Sequence, residues 1–398
     1  MKVNKWTMGL AALGVVSIPA TGSAEEKMNQ VWTALSSTTI SGYVNTSIHW
    51  DPGTGNAHVP AYGLNSGKQD GFNLDVVNLT IEKPLDEAQW AAGYKAELLF
   101  GPDANAYATG SLHVNSGDFN IKQAYVALRA PVGNGLDFKV GVWDTITGYE
   151  VFNSGSNPNY TRSYSWTIEP TTFTGVLMSY QFSKYASGSV GIANTYGPAI
   201  NERANPPKAE SYKTYLGGLT LTAPDEWGFL GGSTLYATVH NGFNSATAGG
   251  ADQTSWFIGA TLNTPVKNLK VGACYDYLGT TDQDFGSTAP NPHYANATTL
   301  YASLQLTEKF STHLRGEYAS TDTSLLGDAA GVTGKFFATT TTFQYDLWKN
   351  VLSRLEFRWD HLAGESGQTG YGGDLAKGET SGTKRNYYTL ALNVIYKF

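Results

Sequence analysis

The sequence predicts an all-β protein: a transmembrane antiparallel up-and-down β-barrel of about sixteen strands, with fourteen or eighteen also compatible with the pattern. Three observations carry this expectation. The C-terminal segment alternates strictly between two kinds of face, similar segments recur about every 22 residues, and the connections between them are by turns short and long.

The last segment, 386–398, places Tyr388, Leu390, Leu392, Val394, Tyr396 and Phe398 on one face of a period-two strand. Its other face mixes Tyr387, Thr389, Asn393 and Lys397 with Ala391 and Ile395. One apolar face and one mixed face suit a wall between lipid and water. The ending on Phe398 resembles the final strand of bacterial outer-membrane barrels, which implies the outer-membrane insertion machinery as a partner.

At the other end, residues 1–24 read as a secretory signal peptide. Lys2 and Lys5 make the charged start, Met8 to Ile18 the apolar run, and Gly22-Ser23-Ala24 the small-residue cleavage site. The apolar run is far short of the roughly 20 residues of a membrane-spanning helix. Cleavage before Glu25 removes two lysines and takes the net charge from −7 to −9. Residues 25–37 read as a short periplasmic segment with helical character, and 38–398 as the barrel.

Mean hydropathy is negative, as a barrel requires, because only alternate residues meet lipid. The 45 Gly, 10 Trp, 24 Tyr and 17 Phe suit turns, strands and interfacial girdles. Cys274 is the only cysteine, so no internal disulfide forms. Nothing in the sequence points to nucleic acid, a cofactor or a phosphate-binding glycine loop.

Strands are predicted at 38–50, 71–83, 89–100, 118–130, 135–143, 171–182, 188–196, 211–222, 232–242, 253–264, 268–278, 298–307, 310–320, 335–347, 350–361 and 386–398. A parity change at Val76-Val77 in the second suggests a bulge. Short turns near 84–88, 131–134, 183–187, 224–228, 265–267, 308–309 and 348–349 alternate with long polar loops, the sidedness of periplasmic turns and extracellular loops.

Charge parity orients the wall. Arg354, Glu356, Arg358 and Asp360 alternate with Leu355, Phe357 and Trp359, and Lys95 and Glu97 alternate with Tyr94, Ala96 and Leu98. An arginine at mid-membrane facing lipid costs about 2 to 4 kcal/mol, so the charged parity must face the lumen. Trp50, Trp90, Trp359 and Phe398 fall at segment ends, where interfacial aromatics sit. The Gly- and Ala-rich stretch 188–193 is a candidate contact face for a homotrimer, and equally ordinary in a monomer.

A sixteen-stranded barrel is too wide for its own side chains to fill, which implies a water-filled lumen and the passage of small hydrophilic solutes and ions. The third long connection, 144–170, is the longest and resembles the third loop of general porins, which folds into the channel to form its constriction. The resemblance implies Asp144, Glu150, Arg162 and Glu169 as constriction charges, facing wall residues drawn from Lys95, Glu97, Lys122, Arg129, Lys139, Arg315, Glu317, Arg354, Glu356 and Arg358. Removing Arg354 and Arg358 is then expected to shift ion preference. Local neutralisation along one face, Arg315 by Glu317 and Arg354 with Arg358 by Glu356, is the other arrangement the spacing allows.

The run IKQAYVALRAPVGNGLDFKVGVWDTITGYEVF, followed by NPNYTRSYSWTIEPTTFTG, resembles the OmpL-like β-barrel porin (porin-2) group, as does the early FNLDVVNLTIEKP. This resemblance implies an outer-membrane pore without supplying a solute. An enzyme is disfavoured, since no strand offers an outward Ser and His pair and only Asp360-His361, with Asp51 near His49, approaches a rim Asp/His cluster. Asp360-His361, or Asp282 near Asp284, matches no calcium loop, so no metal is expected. The main alternative is a plugged surface-binding or structural barrel; a soluble sandwich would have to bury the recurrent charges.

Overall fold

The computed structural model describes residues 37–53, 60, 68, 70–107, 109–110, 117–204, 211–243, 252–280, 293–322, 334–363, 370–373, 377 and 382–398. The expected signal peptide and residues 25–36 lie outside the described residues, as do His58, His113, Asp282 and Asp284.

Sixteen strands form one closed barrel: β1 (Thr39–Trp50), β2 (Gly71–Lys83), β3 (Ala92–Phe100), β4 (Phe119–Ala130), β5 (Leu136–Asp144), β6 (Thr172–Ser183), β7 (Ala186–Ala193), β8 (Thr214–Thr222), β9 (Thr234–Phe243), β10 (Asp252–Asn263), β11 (Leu269–Thr280), β12 (His293–Gln305), β13 (Phe310–Thr321), β14 (Gly334–Trp348), β15 (Val351–Leu362) and β16 (Asn386–Lys397). Each pairs antiparallel with its neighbour in sequence, and β1 closes on β16 with Tyr43 opposite Lys397 and Trp50 opposite Leu390. Phe398 extends that seam: its amide and carbonyl exchange 3.0 Å hydrogen bonds with Gly42. Closure leaves no strand edge to be solvated, the condition for a sheet in hydrocarbon.

Parity sorts the two faces. Ile40, Ile48, Leu355, Phe357, Leu392 and Tyr396 are exposed on the outer wall, while Asn45, Ser47, Arg354, Glu356, Arg358 and Asn393 are buried on the inner one. Trp50 and Phe398 are exposed at strand ends, and Trp359 donates its indole N–H to Asn386 at 2.9 Å. Trp90 precedes β3, in the turn from β2, with a left-handed φ of 61°. The bulge in β2 lies slightly earlier than its parity change suggests: the register slips at Asp75, so that Asp75 and Val76 both turn inward. A second irregularity, at Lys122, turns Lys122 and Gln123 inward together.

Among the described residues, two short α-helices lie in the connections: α1 (Pro102–Tyr107), between β3 and β4, and α2 (Tyr164–Ile168), between β5 and β6. They contribute to apolar clusters on the lumen side of the wall. Tyr43, Val76, Leu99, Ala104, Tyr107, Phe152 and Ile395 form one, and Tyr164 and Ile168 join Phe336, Leu362, Tyr371 and Tyr387 in another. Ala391 and Ile395, apolar members of the mixed face of β16, are thereby fully buried.

Candidate functional site

The β5–β6 connection turns into the barrel and follows its inner wall. Its own side chains shape it. The Asn157 amide bridges the Val151 N–H (2.8 Å) and C=O (2.6 Å), Asn153 accepts from Gly155 N (3.0 Å), and Ser163 caps α2 by accepting from Trp166 N (3.2 Å). Arg162 is directed into the loop, donating to the carbonyls of Tyr160 (2.7 Å) and Phe152 (2.5 Å).

Contacts with the wall run from β8 round to β2. Ile146 packs at Gly218 of β8, and the Thr147 hydroxyl meets Thr238 (2.5 Å) and His240 (3.2 Å) of β9. Tyr149 stacks on Tyr301 of β12 with ring centroids 4.0 Å apart and lies over Gly272 of β11, where a Cβ would come within 2.1 Å of its hydroxyl. Ser165 meets Thr299 (2.8 Å) of β12, and Asn159 donates to Thr342 (2.7 Å) of β14. The Tyr160 hydroxyl joins His49 of β1 (2.9 Å) to Asp75 of β2 (3.0 Å), and Lys397 of β16 donates to Gly155 O (2.9 Å).

The charged wall residues expected to face water form the core of this contact. Arg315 donates to Glu317 (2.7 Å), to Glu150 of the loop (2.8 Å) and to Thr161 O (2.6 Å). Glu356 accepts from the amides of Tyr160 (2.6 Å) and Thr161 (2.9 Å) and from the Thr161 and Thr342 hydroxyls (both 2.6 Å). Arg354 donates to the carbonyls of Ser154 (3.0 Å), Asn157 (3.1 Å) and Asn159 (3.1 Å). Arg358 pairs with Asp360 (2.9 Å) and Glu317 (3.2 Å) and donates to Arg162 O (2.6 Å), while Glu317 accepts from Tyr164 N (2.7 Å).

The expected gap between loop acids and wall bases is therefore closed by direct pairs. The side chains of Arg315, Arg358, Glu150, Glu317 and Asp360 are 0% exposed. Charge withdrawn from water is stable only when paired and hydrogen-bonded, and here each partner meets that condition. Local neutralisation holds for Arg315 with Glu317, whereas Arg354 is satisfied by loop carbonyls and Asn393 instead of by Glu356.

On the arc from β2 to β5 the arrangement is more open. Asp144 ends β5, accepts from Tyr107 of α1 (2.5 Å) and pairs with Lys122. Lys122 and Lys95 each lie 3.6 Å from Glu97, and Lys95 lies 3.7 Å from Glu82. Arg129 grips Asp137 through two bonds of 2.6 and 2.7 Å near the short-turn end. Lys139 sits 5.0 Å from the centre of the Tyr125 ring. Glu169 caps the end of α2; withdrawal from water, then the charges of Asp276 of β11 and of Glu150, push its carboxyl well above the usual range.

Several partners escape sequence reading: the amides of Tyr160, Thr161 and Tyr164, the hydroxyls of Thr161 and Thr342, and the space left by Gly272. A backbone donor leaves no mark in a sequence. Asp360 was signalled by its inward parity. Of the rim pairs, Asp360 is engaged by Arg358, and His361 Nδ1 lies 2.9 Å from Asn386.

With this geometry in place, the family described as "Putative beta-barrel porin-2, OmpL-like" matches residues 37–398. The chain belongs to this family. No curated protein matches by sequence. Among solved structures, the outer membrane channel DcaP of Acinetobacter baumannii is 13% identical with a TM-score of 0.58, covering 91% of this chain and 97% of that one. The anion-selective porin from Comamonas acidovorans is also 13% identical, with a TM-score of 0.59 over 91% and 99% of the two chains. OmpT of Vibrio cholerae in its trimer form is 11% identical, with a TM-score of 0.58 and the same coverages. At such identities the likeness is one of fold, a closed antiparallel barrel. The protein is a porin of the outer membrane by family.

Proposed function

We propose that this porin lets small hydrophilic solutes and ions diffuse passively across the outer membrane, through a lumen narrowed by residues 144–170. One observation carries the reading: the loop is bonded to the wall from β8 round to β2, while Lys95, Lys139, Ser179 and Ser189 on β3, β5, β6 and β7 remain half-exposed. Passage runs along that arc. The test is planar-bilayer conductance of the refolded chain from Glu25 onward. Reproducible current steps support a pore, and a folded barrel that inserts but stays silent refutes it.

The silent outcome corresponds to a plugged structural barrel, a second reading favoured by Phe152 packing among Tyr43, Tyr107 and Ile395 inside the lumen. Export through a signal peptide cleaved before Glu25 is part of the proposal and is tested by sequencing the N-terminus of the membrane-extracted protein. So is assembly as a homotrimer, with exposed Val190 and Ile192 on the outer face of β7 as contacts, tested by sedimentation in detergent.

A further inference from the structure

The loop that narrows the lumen spends three of its four charges on docking, with Asp144 paired to Lys122. Glu150 and Arg162 are 3% and 2% exposed, both consumed by the wall or by the loop itself. The surface left facing water includes apolar side chains beside polar ones: Val151 is 45% exposed, and Ile146, Tyr149 and Trp166 are half-buried. Tyr149 cannot swing away freely, since it is stacked on Tyr301 and seated over Gly272.

Across the ring stands a cation in the opposite situation. Loop residues 149 and 150 dock on β11 to β13, and β13 is eight strands from β5 in a barrel of sixteen, so Lys139 of β5 lies on the opposite wall. Lys139 is half-exposed, and among the described residues no carboxylate lies within ion-pair distance of it; its neighbour is the Tyr125 ring, 5.0 Å from Nζ to centroid. Lys122 and Lys95, by contrast, are matched by Glu97, Glu82 and Asp144.

Resting on the pore reading above, we infer that this constriction favours organic anions with an apolar body, of the aromatic carboxylate class, over smaller anions without one. An unpaired ammonium attracts the carboxylate. The aromatic body loses water against Val151, Tyr149 and Trp166, and the Lys139–Tyr125 pair offers a ring edge or face beside the charge. A wholly polar anion gains only the first of these. Size exclusion alone gives the reverse order, because benzoate is bulkier than acetate.

The test is a set of reversal potentials in planar bilayers, with chloride on one side replaced by benzoate or acetate, after current steps in KCl have established a pore. Benzoate is expected to be at least twofold more permeant than acetate, and to reduce the chloride current saturably. Val151→Asn is expected to bring the benzoate-to-acetate ratio to one or below. Lys139→Gln is expected to lower anion-over-cation preference severalfold in KCl alone. Both variants are read only as barrels that show steps in KCl, and the wild-type benzoate order stands as a test without them. Acetate ahead of benzoate in the wild type, or variants that leave both ratios unmoved, overturns the inference and leaves the pore intact. Silence in KCl overturns the pore and the inference with it.

Discussion

Arg315 of β13 and Glu150 of the inner loop form a 2.8 Å ion pair with both side chains 0% exposed, although the two residues are 165 positions apart. The pair ties the loop to the wall at a point where neither charge has water as an alternative. Replacing Arg315 with Leu leaves Glu150 without its cation and Glu317 with Arg358 alone, a loss on the order of 3 to 5 kcal/mol when a buried pair is broken on one side. The expected outcome is a lower midpoint of denaturant unfolding in detergent. Glu150→Leu added to Arg315→Leu is expected to recover part of that loss, and strict additivity would exclude direct coupling.

Arg354 holds the far end of the loop through the carbonyls of Ser154, Asn157 and Asn159, so its charge is spent on positioning. Arg354→Gln is expected to raise single-channel conductance and current noise as the 154–159 segment loosens. Ion preference should move less than it does in Lys139→Gln. A clean shift in preference at unchanged conductance would restore Arg354 to the open pore wall.

Glu169 makes loop docking sensitive to pH. Its carboxyl, facing Asp276 of β11 and Glu150, is held above the usual carboxylate range by withdrawal from water and by those two neighbours. A raised value in the docked state means that docking favours the protonated form. The contribution is complete below the ordinary value of 4.5 and is lost as pH rises through the raised one. Current noise is therefore expected to grow as pH rises through that raised value, and Glu169→Gln to flatten the dependence. A wild-type trace indifferent to pH would remove Glu169 from this role.

Gly42 governs the seam between β1 and β16. A Cβ there would lie 2.1 Å from Asn78 O and 2.7 Å from the Phe398 ring, against a backbone atom that cannot move aside. Gly42→Ala is expected to weaken closure, seen as loss of the compact, heat-sensitive band on a cold detergent gel, whereas Gly316→Ala, with open space around it, keeps that band.

Strand number, strand order and the inward direction of the charged residues of β3 and β15 were legible in the sequence, because period-two alternation is local and lipid tolerates almost no charge. The same local signal identified 144–170 as the unusual connection and brought Arg315 together with Glu317. It could not say where Arg354 or Glu356 finds its partners. Those partners are the carbonyls of Ser154, Asn157 and Asn159 and the amides of Tyr160 and Thr161, about 200 residues away. Main-chain donors and acceptors are identical at every position, so only the path of the loop through the lumen decides which of them a buried charge meets. That path turned expected pore charges into anchors and left Lys139 as a half-exposed lumen cation with no carboxylate in ion-pair reach among the described residues.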